Sequence, residues 1–450
     1  MPKITFMGAG STIFAKNVIG DCLLTPALRE SEFALYDIDH KRLKESAMML
    51  KNINNNYGNY GKINAYKNRK NALKNADYII NAIQVGGYKP STVIDFEIPK
   101  KYGLRQTIGD TIGIGGIFRA LRTIPVMLDF AKDIEEVAPD ALFLNYTNPM
   151  AILTGAMLEA TDVNTVGLCH SVQDCLNSLL EPLEMNTDNI RHKIAGINHM
   201  AWLLEVSREG EDLYPEIKTR AFKREKPHDD MVRYEIMKRF GYYVTESSEH
   251  NAEYLPYFIK SQYPGLIDEF NIPLDEYPRR CEEQIAEWEE MRDSLIDNKD
   301  LEHELSNEYA SYIMEAVETD QPYSIGGNVL NKGLIENLPD NAIVEVPCLV
   351  DRNGITPCHV GRLPEQLAAL NRTNINVHIM TIKAALEKKK EYIYQAALLD
   401  PHTSSELSIE DIINLCDDLI EAHGKWLSQN LKPKMHFEKK LSPSMVLITS

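Results

Sequence analysis

The chain predicts an α/β protein. An N-terminal doubly wound parallel sheet covers residues 1–195, and a mixed α+β, helix-rich domain covers 196–450. Three observations carry this reading. Short apolar runs alternate with helically spaced ones through the first part. A glycine-bearing turn joins the first strand to the first helix. Beyond about residue 195 the alternation gives way to several helices around one strand-rich stretch. At 450 residues, two or three domains of ordinary size are expected.

The first strand is 3–7, followed by the turn Gly8-Ala9-Gly10-Ser11-Thr12. Phe14, Val18 and Cys22 then fall on one helical stripe. A second strand, 33–36, ends in Asp37-Ile38-Asp39, and Asp39 is placed to cap the amphipathic run 41–53. The polar stretch 52–59 reads as a helix end and loop. Further strands are 78–83, 141–145 and 165–169, with a helix opening near Pro149 between the last two. In the second part, 201–206 reads as a strand. Helices are predicted at 229–240, 281–296, 304–318, 375–399 and 409–424, with strand at 342–350 and a turn at 351–354.

Composition narrows the function classes. The hydrophobic fraction is 44% and the charged fraction 25%, as in globular proteins. A formal charge of −18 argues against nonspecific nucleic-acid binding, which needs clustered cations. Seven scattered cysteines, an odd number in a long chain, do not read as a secreted disulfide framework. The run from Ile4 reads as a buried strand and not as a leader, and no apolar run reaches the ~18 residues of a membrane span. A cytoplasmic protein without nucleic-acid or membrane partners is expected.

The glycines at 8 and 10 let backbone approach a pyrophosphate at a helix N-terminus, so Gly8, Gly10, Ser11 and Thr12 are the candidate cradle of a Rossmann-like site. Ile13 stands where a third glycine is usual. Asp37, closing the next strand, suits both ribose hydroxyls and would repel a 2′-phosphate, which favours NAD over NADP. Gly86 and Gly87 offer a second close approach. The glycine-rich segment 109–116 reads either as part of that site or as a flexible loop capping a helix 117–128.

Cys169 closes a strand, and His199 lies in Asn198-His199. Thiolate and imidazole together suit Mn²⁺, Fe²⁺, Co²⁺, Ni²⁺ or Zn²⁺. Two ligands are too few for a closed structural zinc site, so such a metal would be catalytic. On the residues alone, the usual readings are a small buried hydrophobe and a hydrogen-bonded core histidine. Glu246, Glu249, His250, Glu253, Tyr254 and Tyr257 form a dense polar and aromatic patch. A tyrosine there is either packing or a base whose pKa a cation depresses. The glutamates read as a carboxylate pair, a solvated face, or supports of the site.

The segments KITFMGAGSTIF, NAIQVGGY, GLRQTIGDTIGIGGIFRALRTIP, LNYTNPMA, GLCHSVQ, AGINHMAW, VTESSEHNAEY, LDEYPRRC and LAALNRTNINV run nearly end to end. With them the chain resembles glycoside hydrolase family 4. Its Cys169-His170-Ser171-Val172 is similar to the form found in the family's α-galactosidases. That resemblance implies NAD⁺ and Mn²⁺ as cofactors and hydrolysis of small α-galactosides, of the melibiose and raffinose class. The implied route is a redox-neutral elimination–addition with transient oxidation at C3. It implies Cys169 and His199 as metal ligands, Asn148 as a substrate contact, and Tyr254 as the base, with Tyr257 close by in sequence. His170 takes the place of the leaving-group acid, and Asp110 contacts sugar or cofactor. A homodimer or homotetramer is implied, as is tolerance of the missing glycine. Competing readings are an α-glucuronidase or α-galacturonidase of the same family, a lactate- or malate-type dehydrogenase, and a non-catalytic dinucleotide sensor.

Overall fold

Parallel strands with both faces covered by helices need near-continuous apolar sequence, and the first part of the chain supplies it. The computed structural model describes residues 1–428, so the end of the predicted second domain, 429–450, lies outside the described residues. Six strands are β1 (Lys3–Met7), β2 (Glu32–Tyr36), β3 (Lys62–Tyr66), β4 (Tyr78–Asn81), β5 (Leu142–Asn145) and β6 (Thr165–Leu168). They pair in parallel in the order β3-β2-β1-β4-β5-β6, the doubly wound arrangement. Every residue of β4, β5 and β6 is buried.

The sheet does not stop at residue 195. Seven further strands are β7 (Ile190–Ile197), β8 (Met200–Arg208), β9 (Glu211–Asp212), β10 (Tyr243–Val244), β11 (Tyr323–Leu330), β12 (Ile343–Asp351) and β13 (Gly354–Pro357). β11 pairs antiparallel with β6 through Gly327 and Asn328, and β12, β7, β8 and β10 follow it outward. One mixed sheet of 13 strands therefore carries both parts of the chain. Close packing of the helix Met150–Ala160 on β6 is why glycine stands at 167: a Cβ there would lie 2.6 Å from Met150 Sδ and Thr154 Oγ1.

Several predicted elements move. The strand expected at 78–83 ends at Asn81, and the turn carrying Gly86 and Gly87 begins sooner. The segment 109–116 is not a flexible loop. The helix expected from 117 to 128 spans Gly113–Val137, with Gly113, Gly115 and Gly116 in its buried first turn. Glycine at 115 and 116 allows the preceding loop to fold back, since a Cβ at either would strike Gly109 O or Thr111 C. The helix expected at 375–399 is two, Glu365–Glu387 and Lys390–Leu399, broken at the left-handed Lys388. The one expected from 304 begins at Ala310. Asp39 does cap the helix His40–Asn56, accepting from the N–H of Lys41 and Arg42.

Two polar networks hold the loops around the strand ends. Asp95 (helix Val93–Lys101), Arg122 (helix Gly113–Val137) and His423 (helix Ile409–His423) form one, fully buried. Arg122 donates to both oxygens of Asp95 at 3.1 and 2.6 Å, and His423 Nε2 lies 2.8 Å from Asp95 Oδ1. Arg122 Nε also donates to Val85 O, tying down the turn before Gly86. In the second, the buried Glu253 carboxylate accepts the N–H of Thr107 (2.9 Å) and of Gly109 (2.7 Å). Burial pushes the Glu253 pKa up to about 7, against the pull of these backbone donors.

Asp95→Ala strands a buried guanidinium and is expected to cost about 3–5 kcal/mol, read as a lower thermal midpoint in calorimetry. An unchanged midpoint contradicts that role. Glu253→Ala leaves two buried N–H groups unpaired, at about 1–3 kcal/mol each. Hydrogen exchange at Thr107 and Gly109 should accelerate in that variant, and unaltered protection there counts against the clamp.

Candidate active site

The carboxyl ends of parallel strands open onto one crevice, where ligands of open α/β sheets collect. Gly8 follows β1, Gly86 and Gly87 follow β4, Asn148 follows β5, and Cys169 and His170 follow β6. Gly8 has φ +89°, and a Cβ there would lie 2.2 Å from Ala82 O. A Cβ at Gly10 would lie 2.7 Å from Asp37 Oδ2, which accepts the Gly10 N–H at 2.7 Å. Asp37 Oδ1 accepts from Asp39 N. The carboxylate predicted to face a ribose thus also shapes the turn. Ser11 Oγ is buried without a protein partner, and Thr12 precedes the helix Ile13–Leu24. Two glycines with no room for a Cβ, an unsatisfied hydroxyl and a following helix N-terminus fit a dinucleotide pyrophosphate.

His199 comes from the other side, in the two-residue turn Asn198-His199 between β7 and β8. Its Nε2 lies 3.1 Å from Cys169 Sγ and 3.5 Å from Glu246 Oε2. Its Nδ1 lies 3.1 Å from Tyr254 Oη and 3.2 Å from Thr111 Oγ1. Donor atoms of Cys169, His199 and Glu246 all fall within 4.8 Å of one another. Sulfur, imidazole nitrogen and carboxylate oxygen form a donor set that fits a divalent transition metal. Burial opposes a charged imidazole at His199, but Cys169 and Glu246 outweigh it and push the pKa up to about 10. The spot thus favours positive charge.

Tyr254 is buried at the end of the helix Ser248–Tyr254 and touches His199, whereas Tyr257 is 49% exposed. Burial, with Asp110 and Glu253 nearby, drives the Tyr254 pKa well up. Asp110 accepts from Thr111 Oγ1 (2.8 Å) and from Asn148 Nδ2 (3.1 Å), and Asn148 Oδ1 has no partner. Burial would raise the Asp110 pKa, but Arg119, His250 and His199 hold it below the usual carboxylate range. His170 Nε2 lies 2.7 Å from Glu308 Oε2.

The structure therefore brings Cys169, His170, His199, Tyr254, Asp110 and Asn148 to the same end of the sheet as the glycine turns. Four residues enter that the sequence reading did not single out: Thr111, Arg119, Arg233 and Glu308. Thr111, Arg119 and Glu308 also reach neighbours distant in the chain, which no local spacing marks. Buried Arg119 donates to Asn148 O and Tyr277 Oη. Arg233 pairs with Asp230 beside Tyr243. Glu246, read as one of several glutamates, has the left-handed φ of +65°, which costs a residue with a Cβ roughly 1–2 kcal/mol.

Residues 3–185 match the model of a family 4 glycosyl hydrolase, and residues 194–403 that of a family 4 glycosyl hydrolase C-terminal domain. The chain is 68% identical over 430 residues to an α-galactosidase of Bacillus subtilis (strain 168), covering 95% of this chain and 100% of that one. It is 37% identical over 438 residues to an α-galactosidase of Rhizobium meliloti (strain 1021), covering 95% and 89%. The structure of a 6-phospho-β-glucosidase from Thermotoga maritima with manganese, NAD⁺ and glucose-6-phosphate has the same fold. Its TM-score is 0.78 at 23% identity, covering 94% of this chain and 99% of that one. Matched by both family models along most of its length, the chain belongs to family 4 of the glycosyl hydrolases.

Proposed function

We propose that the chain is an α-galactosidase that cleaves small terminal α-D-galactosides of the melibiose and raffinose class, with NAD⁺ and Mn²⁺ as resident cofactors. The observation that carries the reading is Cys169, His199 and Tyr254 meeting at the same end of the sheet as the glycine turn of β1. Likeness to the two α-galactosidases supports the substrate class. Residues 1–195 would carry the cofactor turn, and the described residues from 196 onward would close the site.

Gly8, Gly10, Ser11, Thr12, Asp37, Gly86 and Gly87 would hold the dinucleotide, and Cys169 with His199 Nε2 would hold the metal. Bound, the two supply reversible oxidation at ring carbon 3 and polarisation of the neighbouring oxygens, which makes the C2 proton removable. Tyr254 Oη is the group placed to take that proton, and its contact with His199 Nδ1 fixes the direction of the oxygen. Asn148, anchored through Nδ2 on Asp110, turns its unpartnered Oδ1 to a sugar hydroxyl. His170 is the proton donor for the leaving oxygen, and the Glu308 carboxylate, with other acidic neighbours, keeps its pKa raised against burial.

A second reading, a uronidase of the same family, rests on Arg119. Its buried guanidinium has no carboxylate within ion-pair distance among the described residues, which suits a carboxylate-bearing sugar. A lactate- or malate-type dehydrogenase no longer competes, since both family models place the chain among glycosidases. All seven cysteines are free, as suits a cytoplasmic protein. Among the described residues no helix is long and apolar enough to cross a membrane. A homodimer or homotetramer follows from the resemblance.

p-Nitrophenyl α-galactoside should be hydrolysed only with both NAD⁺ and Mn²⁺ present, without net NADH. Deuterium at C2 of the sugar should wash out into solvent. Retained label rejects the elimination route, and preference for the α-galacturonide or α-glucuronide transfers the assignment to the second reading. Cys169→Ser should lower turnover by at least about 100-fold while NAD⁺ still binds, as followed by fluorescence titration. Wild-type turnover in that variant rejects the metal assignment.

A further inference from the structure

The reading above leaves the metal with two protein ligands. We propose that Glu246 is a third, completing a thiolate–imidazole–carboxylate face whose open positions receive the sugar. This rests on the metal reading of Cys169 and His199 and deepens it.

Distance is the first argument. Ligands about 2.0–2.3 Å from a common ion stand about 3.0–3.6 Å apart when the angle at the ion is between right-angled and tetrahedral. The observed separations are 3.1 Å from His199 Nε2 to Cys169 Sγ and 3.5 Å from His199 Nε2 to Glu246 Oε2. Both neighbours approach the same ring nitrogen, and the three donor atoms all lie within 4.8 Å of one another. The opposite nitrogen is already engaged by Tyr254 and Thr111, as the outer partners of a metal-bound imidazole usually are.

The second argument is what Glu246 lacks. Its side chain is only 21% exposed, yet among the described residues its carboxylate accepts no hydrogen bond. It stands 3.5 Å from His199 and 3.5 Å from His250, too far for a strong bond to either. A largely buried carboxylate without donors needs a cation. Backbone geometry points the same way. Glu246 follows β10 at φ +65°, and its neighbour Ser247 turns its hydroxyl to His250 instead. The carboxylate is also the hardest of the three donors, and it shifts a thiolate–imidazole pair toward Mn²⁺.

The test measures Mn²⁺ binding by electron paramagnetic resonance, without NAD⁺ or sugar, on wild type, Glu246→Gln, Glu246→Asp and Cys169→Ser. Thermal midpoints and NAD⁺ affinity serve as folding controls. Glu246→Gln should weaken Mn²⁺ binding by at least 10-fold, at the lower end of losses seen for supporting residues of metal sites. Glu246→Asp, which keeps the charge, should retain part of the affinity. Wild-type affinity in a folded Glu246→Gln, beside loss in Cys169→Ser, overturns the third ligand and leaves the two-ligand site standing. Wild-type affinity in both variants overturns the metal site itself, and this inference with it.

Discussion

The imidazole of His199 is the point on which the site turns. One ring nitrogen faces the sulfur at the end of β6 and the carboxylate after β10. The other faces the phenol of Tyr254 and the hydroxyl of Thr111. Three stretches that are far apart in the chain, carrying Thr111, Cys169 and the pair Glu246 and Tyr254, are thereby referred to one rigid planar group. Because an imidazole cannot satisfy both sides with one geometry unless its plane is fixed, the β7–β8 turn that carries it must be held as well. Asn198 Nδ2 reaches the buried Glu345 carboxylate on β12 at 3.5 Å, and Asn328 Nδ2 on β11 reaches it at 2.9 Å.

Charge explains why so many acidic groups gather here without repelling one another apart. Arg119, His250 and His199 hold the Asp110 carboxyl below its usual range despite burial, and His250, His199 and Arg233 do the same for Glu246. The residual negative character falls at the Cys169–Glu246 side, where a divalent cation would sit. Arg119 brings positive charge to Asn148 at the β5 end.

Support comes from outside the site. Asp21 in the first helix accepts from Ser306 N and Ser306 Oγ and lies 2.7 Å from His303 Nε2. This pins the segment that presents Glu308 to His170. Arg122 and Asp95 brace the Gly86 turn, and Glu253 braces the loop bearing Asp110 and Thr111. Each brace is a buried charge with several partners, so loss of one member is costly while the intact set is rigid.

Local chemistry was legible in the chain. A glycine turn after an apolar strand, an aspartate capping the next helix, and a cysteine closing β6 all follow from neighbours within a few residues, because propensity, capping and period act over that range. The parallel strands were read for the same reason, apart from β3, whose alternating, largely exposed residues carry little apolar signal. The antiparallel continuation was not legible. β11 pairs with β6 across more than 150 residues, and no spacing rule records such a partner. Nor could sequence choose between Tyr254 and Tyr257, one buried against His199 and the other on the surface. The residues supplied the donors. Only the folded sheet, by bringing remote strand ends to one edge, decided which of them face the same point.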